Sequence, residues 1–332
     1  MANNPRSVGI LGLGSWLPDN KITNHDLMKL IDTSDEWILS RTGISERRKA
    51  SEQESASDLG LMAARRALAA ANVQPEEIDL IIVATVTPDM FFPATACLIQ
   101  KNLGAINAAA FDLSAACSGF IYALSVGSQF IANGHYHTVL VVAAEVMTKI
   151  VNWEDRNSCI LFGDGAGAAV LQPVAEGLGF LSFDLGADGD GAEYLQIPAG
   201  GSRKPASQET VLNKEHFLQM NGNEVFKFAV KIMGDISVKA LEKAGLTRED
   251  LDYLVPHQAN TRIIEAARKR LGLAEDKVYI NLDKYGNMSS ASIPIALTEA
   301  VEKGYIQKGN IVLLVAFGAG LTWGSAIIKW AM

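Results

Sequence analysis

With 332 residues, 48% of them hydrophobic and 20% charged, the chain is long enough to bury a large α/β core as one domain or two. Its formal charge of −8 argues against nucleic acid as a main partner, because neutralising a phosphate backbone takes a basic face. No apolar run reaches the roughly eighteen residues that cross a bilayer, and Cys97, Cys117 and Cys159 form neither a CxxC pair nor a Cys/His cluster at metal-ligand spacing.

The N-terminal stretch MANNPRSVGILGLGS lacks the charged start, continuous apolar segment and cleavage site of a secretory signal, so a cytoplasmic protein without a membrane segment is expected. GLGSWL at Gly12 has only two glycines of a dinucleotide fingerprint, and GDGAGAA at Gly163 lacks the Lys-Ser/Thr of a phosphate loop. Both are read as tight turns, and no nucleotide cofactor or metal is inferred. Buried strands are expected at IDLIIVATV (78–86), TVLVVAAEV (138–146) and NIVLLVAFG (310–318), alternating with segments of helical period. That alternation predicts an α/β fold of βαβ units around a mostly parallel sheet.

An internal repeat divides the chain. ALAAANVQPEEIDLIIVA from Ala67 aligns without gaps on ALEKAGLTREDLDYLVPH from Ala240, and VLVVAA from Val139 on VLLVAF from Val312, both at an offset of 173 residues. A duplicated half of that length far exceeds a solenoid repeat. The halves are expected to meet near residue 180, in the glycine-rich GLGFLSFDLGADGDGAEY, giving units 1–180 and 181–332. A site between two such halves belongs at the carboxyl ends of their strands.

Three candidates fall there. Cys117, in DLSAACSGF, is expected in the first turn of a helix that ends near Gly134, where unpaired N–H groups favour thiolate over thiol. Free cysteine among small residues is equally a packing residue, and the local sequence leaves both readings open. His257, in YLVPHQANTRII, lies directly beyond a buried strand. Asn287, in DKYGNMSSASIP, occupies a glycine-asparagine turn before a helix, where a cap would serve as well. A Cys/His/Asn set fits papain-like hydrolysis or acyl transfer; the local signature of the former is absent around Cys117.

DLSAACSGF, VPHQANTRII and YGNMSSASIP, in this order and spacing, resemble the active-site motifs of the β-ketoacyl-acyl carrier protein synthase III family of the thiolase superfamily. The likeness continues through DTSDEWILSRTGI, FGDGAGAAVL and AFGAGLTWGSA and spans nearly the whole chain. It implies a thiolase-like αβαβα fold of two duplicated halves and an acyltransferase that joins a short acyl-CoA to malonyl-acyl carrier protein (malonyl-ACP), releasing CO2. Related condensing or acyl-transfer enzymes of polyketide metabolism are the alternative.

The resemblance implies that Cys117 carries the acyl group, while His257 and Asn287 bind the thioester oxygen on which enolate charge develops. It gives Ala319 a backbone N–H role at a second oxyanion site and Phe317 a shielding role. For CoA it points to Trp37, Arg41, Arg156 and Asn223. Arg262, Lys269 and Arg270, on a locally basic helix that would ordinarily be a solvated face, are expected to dock the acidic carrier protein. Phe92 is expected to close the acyl pocket across a homodimer interface and to favour acetyl. Met288 and Leu321 depart from residues found in some relatives. CoA thioester and carrier protein are substrates, so no separate cofactor is implied.

Overall fold

The run Leu80–Ala84 is apolar and buried at every position, which suits a strand covered on both faces. A computed structural model, describing residues 5–332, places it inside a five-stranded sheet. That sheet comprises β1 (Val8–Trp16), β2 (Leu80–Ala84), β3 (Ala109–Leu113), β4 (Val139–Val146) and β5 (Asp164–Pro173), in the order β1-β5-β4-β2-β3. A second sheet comprises β6 (Gly179–Ala187), β7 (Tyr253–Pro256), β8 (Ile311–Gly318) and β9 (Thr322–Lys329), in the order β7-β8-β9-β6.

The expectation of mostly parallel sheets fails. Among the described strands of these two sheets, only β2 with β3, β2 with β4, and β7 with β8 pair in parallel. The β8 to β9 connection is too short for a crossover, which takes a dozen or more residues, so that pair is antiparallel.

The helices used below are α1 (Asp35–Thr42), α2 (Ala56–Ala71), α3 (Thr95–Leu103), α4 (Gly119–Ala132), α5 (Gly222–Lys243), α6 (Thr261–Leu271) and α7 (Ser292–Glu302). Helices α2 and α3 cover the outer face of the first sheet, and α5 and α6 that of the second. Between the sheets lie α4 and α7, whose apolar faces share one core with both. This is the layered αβαβα arrangement of two duplicated halves.

The offset of 173 residues recurs in the backbone: Leu80 and Tyr253 begin equivalent strands, and Gly119 and Ser292 begin the two central helices. It recurs even in strain. Ala116 and Ser289 hold φ of 46° and 47°, a left-handed conformation costing about 1–2 kcal/mol in a residue with a side chain.

Two sequence expectations change. Gly12 and Gly14 lie inside strand β1, and a Cβ on either would sit 2.4 Å from a carbonyl oxygen of α2, Ala67 O or Ala63 O. GDGAGAA likewise runs within β5, where Gly167 leaves room for Pro294 of α7. Both motifs are close-packing surfaces, not turns. The glycine-rich stretch near residue 180 begins strand β6, Gly179–Ala187, which pairs with β9 in the second sheet.

Candidate active site

Strand β3 ends at Leu113, and the chain turns sharply through Ala116 into a 3-10 turn, Ala116–Ser118, that runs into α4. Cys117 sits in that turn, immediately ahead of the helix in which it was expected. Thr322 Oγ1 fastens the turn to β9 by donating to Ala115 O at 3.0 Å. The fit is tight: a Cβ on Gly318 would lie 2.6 Å from Cys117 N. Burial pushes the Cys117 thiol up to about 12, against weaker lowering by Ser289 and by the residue's own N–H. At neutral pH it rests as a thiol.

His257 follows β7 and is 1% exposed; its N–H donates to Val315 O at 2.8 Å. Its Nδ1 lies 2.6 Å from Ser292 Oγ, which accepts the Gln258 N–H at 3.3 Å. Among the described residues the Ser292 hydroxyl meets no other acceptor, so the serine proton is directed to Nδ1. The imidazole proton is therefore on Nε2, the nitrogen left for the cavity. Burial lowers the His257 pKa to about 3, so the ring is a neutral donor throughout the physiological range.

Asn287 is aimed by the same segment. Its Oδ1 accepts the Ser289 N–H at 2.8 Å, which turns the amide NH2 the other way. Its backbone is stitched to the first half by Asn287 N to Leu161 O at 2.8 Å and Gly163 N to Asn287 O at 3.0 Å. Two neutral N–H donors are thus pre-set before any ligand arrives.

Three chambers meet here. An inner one of about 100 Å³ is lined by Cys117, His257, Asn287 and Phe317, with the Phe317 ring edge-on to His257 at 5.7 Å. Through Leu161, Met220, Phe226 and Asn260 it opens into a polar groove of about 610 Å³ that carries Trp37, Arg41, Asn223 and Arg262. On its other side Cys117 and Phe162 also line an apolar chamber of about 170 Å³, with Ala319, Met147, Ile150 and Leu218. Cys117 stands at the junction.

In the outer groove the guanidinium carbons of Arg41 and Arg156 lie 4.8 and 4.7 Å from the Trp37 ring centroid, a cation–π arrangement. Arg262 lies over Phe226 at 4.8 Å. Asn260 clamps the groove wall: its Oδ1 caps α6 by accepting the Arg262 N–H, and its Nδ2 donates to Arg41 O at 2.8 Å. Lys269 and Arg270 are farther along α6, each held by a carboxylate at 3.4 Å, of Glu265 and Asp235 respectively. Phe92 does not line the apolar chamber within one chain and is 85% exposed, beside Phe91 at 81%.

Models of 3-oxoacyl-[acyl-carrier-protein] synthase III match residues 111–189, and that of its C-terminal region matches residues 241–330. The β-ketoacyl-[acyl-carrier-protein] synthase III of Caldanaerobacter subterraneus subsp. tengcongensis is 62% identical over 325 residues, covering 98% of each chain. The chain belongs to the β-ketoacyl-acyl carrier protein synthase III family. Among solved structures, the synthase III of Thermus thermophilus superposes with a TM-score of 0.91 at 50% identity, over 97% of this chain and 99% of that one. The priming β-ketosynthase of the R1128 polyketide pathway gives 0.91 at 39% identity, over 99% and 98%. The fold is thiolase-like.

For a synthase III chain, sequence reasoning singled out Cys117, His257 and Asn287, which line one chamber, but missed the residues that aim them. Ser292 and Ser289 were legible only as part of a serine-rich helix start. Asn260, directly before a helical period, carried an N-cap signal that could have placed it. Glu145, buried in β4 as the lone acid of an apolar run, carried the strongest overlooked signal.

Proposed function

We propose that the chain catalyses the decarboxylating condensation of a short acyl-CoA, acetyl-CoA in the first instance, with malonyl-ACP, giving 3-oxoacyl-ACP, CoA and CO2 and initiating fatty acid synthesis. The observation that carries this reading is the continuous passage from the polar groove to Cys117, with an apolar chamber beyond it and two neutral donors beside it. A pantetheine arm threads the passage, and the acyl group enters the apolar chamber.

The Cys117 thiolate attacks the acyl-CoA carbonyl, whose oxygen is met by the N–H groups of Cys117 and Ala319, and CoA leaves. The arm of malonyl-ACP then takes the same passage. His257 Nε2–H and the Asn287 amide hold its thioester oxygen, stabilising the enolate formed as CO2 departs. The enolate carbon attacks the acyl-cysteine, and the thiolate is expelled. Decarboxylation supplies the nucleophile, so a neutral histidine suffices, and the chemistry calls on no cofactor.

Trp37, Arg41, Arg156 and Asn223 serve the CoA nucleotide and arm, and Arg262 at the mouth leads carrier docking, with Lys269 and Arg270 behind it. We read the protein as a homodimer of chains with halves 1–180 and 181–332. The free edge of β3 and exposed Phe91, Phe92 and Ile106 supply the apolar face, with Phe92 closing the partner's acyl pocket. Among the described residues no helix is long and apolar enough to cross a membrane, and a cytoplasmic location fits the substrates.

The test is an assay of the purified protein with labelled acetyl-CoA and malonyl-ACP beside longer and branched acyl-CoAs. The expected result is label on Cys117, CO2 release and 3-oxoacyl-ACP; labelling without CO2 release would sink the reading. The alternative, priming of a polyketide pathway, is supported by the resemblance to the R1128 enzyme and predicts preference for a longer or branched primer. Arg262→Glu should raise the KM for malonyl-ACP about tenfold or more while moving that for acyl-CoA much less, because the carrier contributes many negative charges to docking. Equal changes in both would remove Arg262 from the docking face.

A further inference from the structure

The acylation step leaves one proton unassigned. Cys117 rests as a thiol, while His257 and Asn287 are both turned toward the thioester oxygen as donors. Two buried groups outside that machinery converge on Cys117 from the other side.

The first is Glu145, fully buried in β4. One carboxylate oxygen accepts the Val86 N–H at 3.1 Å and the Thr87 hydroxyl at 2.7 Å, with Thr85 Oγ1 at 3.3 Å. The other accepts the Ser290 hydroxyl at 2.7 Å. The second is Ser289, 1% exposed, which lines the apolar chamber beside Cys117 and Ala319. Among the described residues its Oγ is buried without a hydrogen-bond partner, and its turn, Ser289–Ala291, packs against both the Cys117 turn and β4, the strand that carries Glu145. An unpartnered buried hydroxyl is destabilising, and this one is held on a strained backbone at φ 47°.

Resting on the proposed function, we infer that Ser289 and Glu145 form the proton outlet of Cys117. The Cys117 S–H bond breaks and its proton passes to Ser289 Oγ, while the proton of the Ser289 hydroxyl passes to the Glu145 carboxylate. The products are a thiolate and a neutral glutamic acid, with one negative charge throughout. When the CoA thiolate leaves, the Ser289 hydroxyl gives it a proton and regains one from the Glu145 carboxyl, so that acyl-CoA and thiol become acyl-cysteine and CoA thiol.

The electrostatics favour a transfer over two separate ionisations. Burial raises the pKa of Glu145, and its charge raises that of Cys117; two negative charges in one dry pocket oppose each other, whereas moving the proton leaves one. Around Glu145 the other groups are the hydroxyls and N–H named above. Cys117 is the titratable group that faces it, and His257 stands across the inner chamber as a neutral ring.

Two variants separate this role from packing. Glu145→Gln keeps the network, because its amide oxygen accepts from Val86 and Thr87 while its NH2 donates to Ser290 Oγ, whose proton turns to Ala84 O at 3.1 Å. Ser289→Gly removes the hydroxyl, keeps the backbone N–H that aims Asn287, and relieves the left-handed strain, so thermal stability should match or exceed that of the parent.

The pH dependence of Cys117 alkylation by iodoacetamide and the rate of acylation by acetyl-CoA are measured for all three proteins. A relay predicts that the parent alkylates at a rate independent of pH across neutrality, through transfer of the proton to Glu145, and that both variants lose this plateau and slow about tenfold or more at pH 7, although loss of the Glu145 charge lowers the alkylation midpoint of Glu145→Gln; acylation should be about 10²-fold slower in Glu145→Gln. A spectator charge predicts no plateau in the parent and faster alkylation of Glu145→Gln at every pH; that result, or an unchanged profile in Ser289→Gly, overturns the inference. Alkylation needs no thioester, so it reads the relay even where acylation fails with every acyl-CoA, a failure that would count against the proposed function alone.

Discussion

Cys117→Ser is expected to take up no label from acetyl-CoA and to lose condensation by at least about 10³-fold, the scale seen when a covalent nucleophile is removed. Serine keeps the shape: at 7% exposure a hydroxyl fits where the thiol was. The chemistry is what changes. A serine hydroxyl is a far weaker acid than a thiol, and this pocket already resists negative charge, since burial, with the Glu145 charge adding to it, pushes the thiol up to about 12. No strong base compensates, because burial has taken His257 down to about 3 and its ring is committed as a donor. Intact-protein mass spectrometry after incubation with acetyl-CoA reads the result directly. An acylated Cys117→Ser protein would show that another residue carries the acyl group.

Asn287→Ala should separate the two half-reactions. It is expected to acylate Cys117 at close to the parental rate and to lose malonyl-ACP decarboxylation by about 10²–10³-fold, the usual worth of one oxyanion donor. The reason is positional: Ser289 N–H pins the Asn287 Oδ1, so the amide NH2 serves the chamber it shares with His257 and not the Ala319 side. Released CO2 measured against label on Cys117 checks it. Equal loss of both would place Asn287 in acylation and overturn the assignment of roles. Because His257 remains neutral down to about pH 3, the decarboxylation step should show no limb near 6.5 in the parent protein.

The two expectations rest on different kinds of legibility. His257 could be found along the chain because it follows a buried apolar run, whereas Cys117 was legible at the start of a helical period and Asn287 in a glycine-asparagine turn, and the family resemblance drew the three together. Arg262 was legible as the start of a basic helix. Lys269 and Arg270 read the same way in sequence, yet only in the folded protein does each meet a carboxylate, Glu265 or Asp235. Phe92 marks another limit: its expected place in a pocket involves a second chain, and within one chain it lies exposed.

Glycines misled for a physical reason. Gly12, Gly14 and Gly167 occur in runs that look like turns, but a glycine is needed equally where a helix presses on a strand, and local sequence cannot tell the two demands apart. The sheet's mixed direction escaped likewise, since a buried strand has the same composition whichever way its neighbour runs.

By itself, then, the sequence determined the strand and helix periodicity and the duplication, because these are properties of local composition and spacing, and its family resemblance marked Cys117, His257 and Asn287 as candidates. Tertiary structure alone decided their states. The donor nitrogen of His257 is set by Ser292, the facing of Asn287 by the Ser289 N–H, and the protonation of Cys117 by burial opposite Glu145. Each of those partners lies at least two positions away in the chain, most far more, and hydrogen bonds and desolvation depend on which atoms folding brings within a few ångströms.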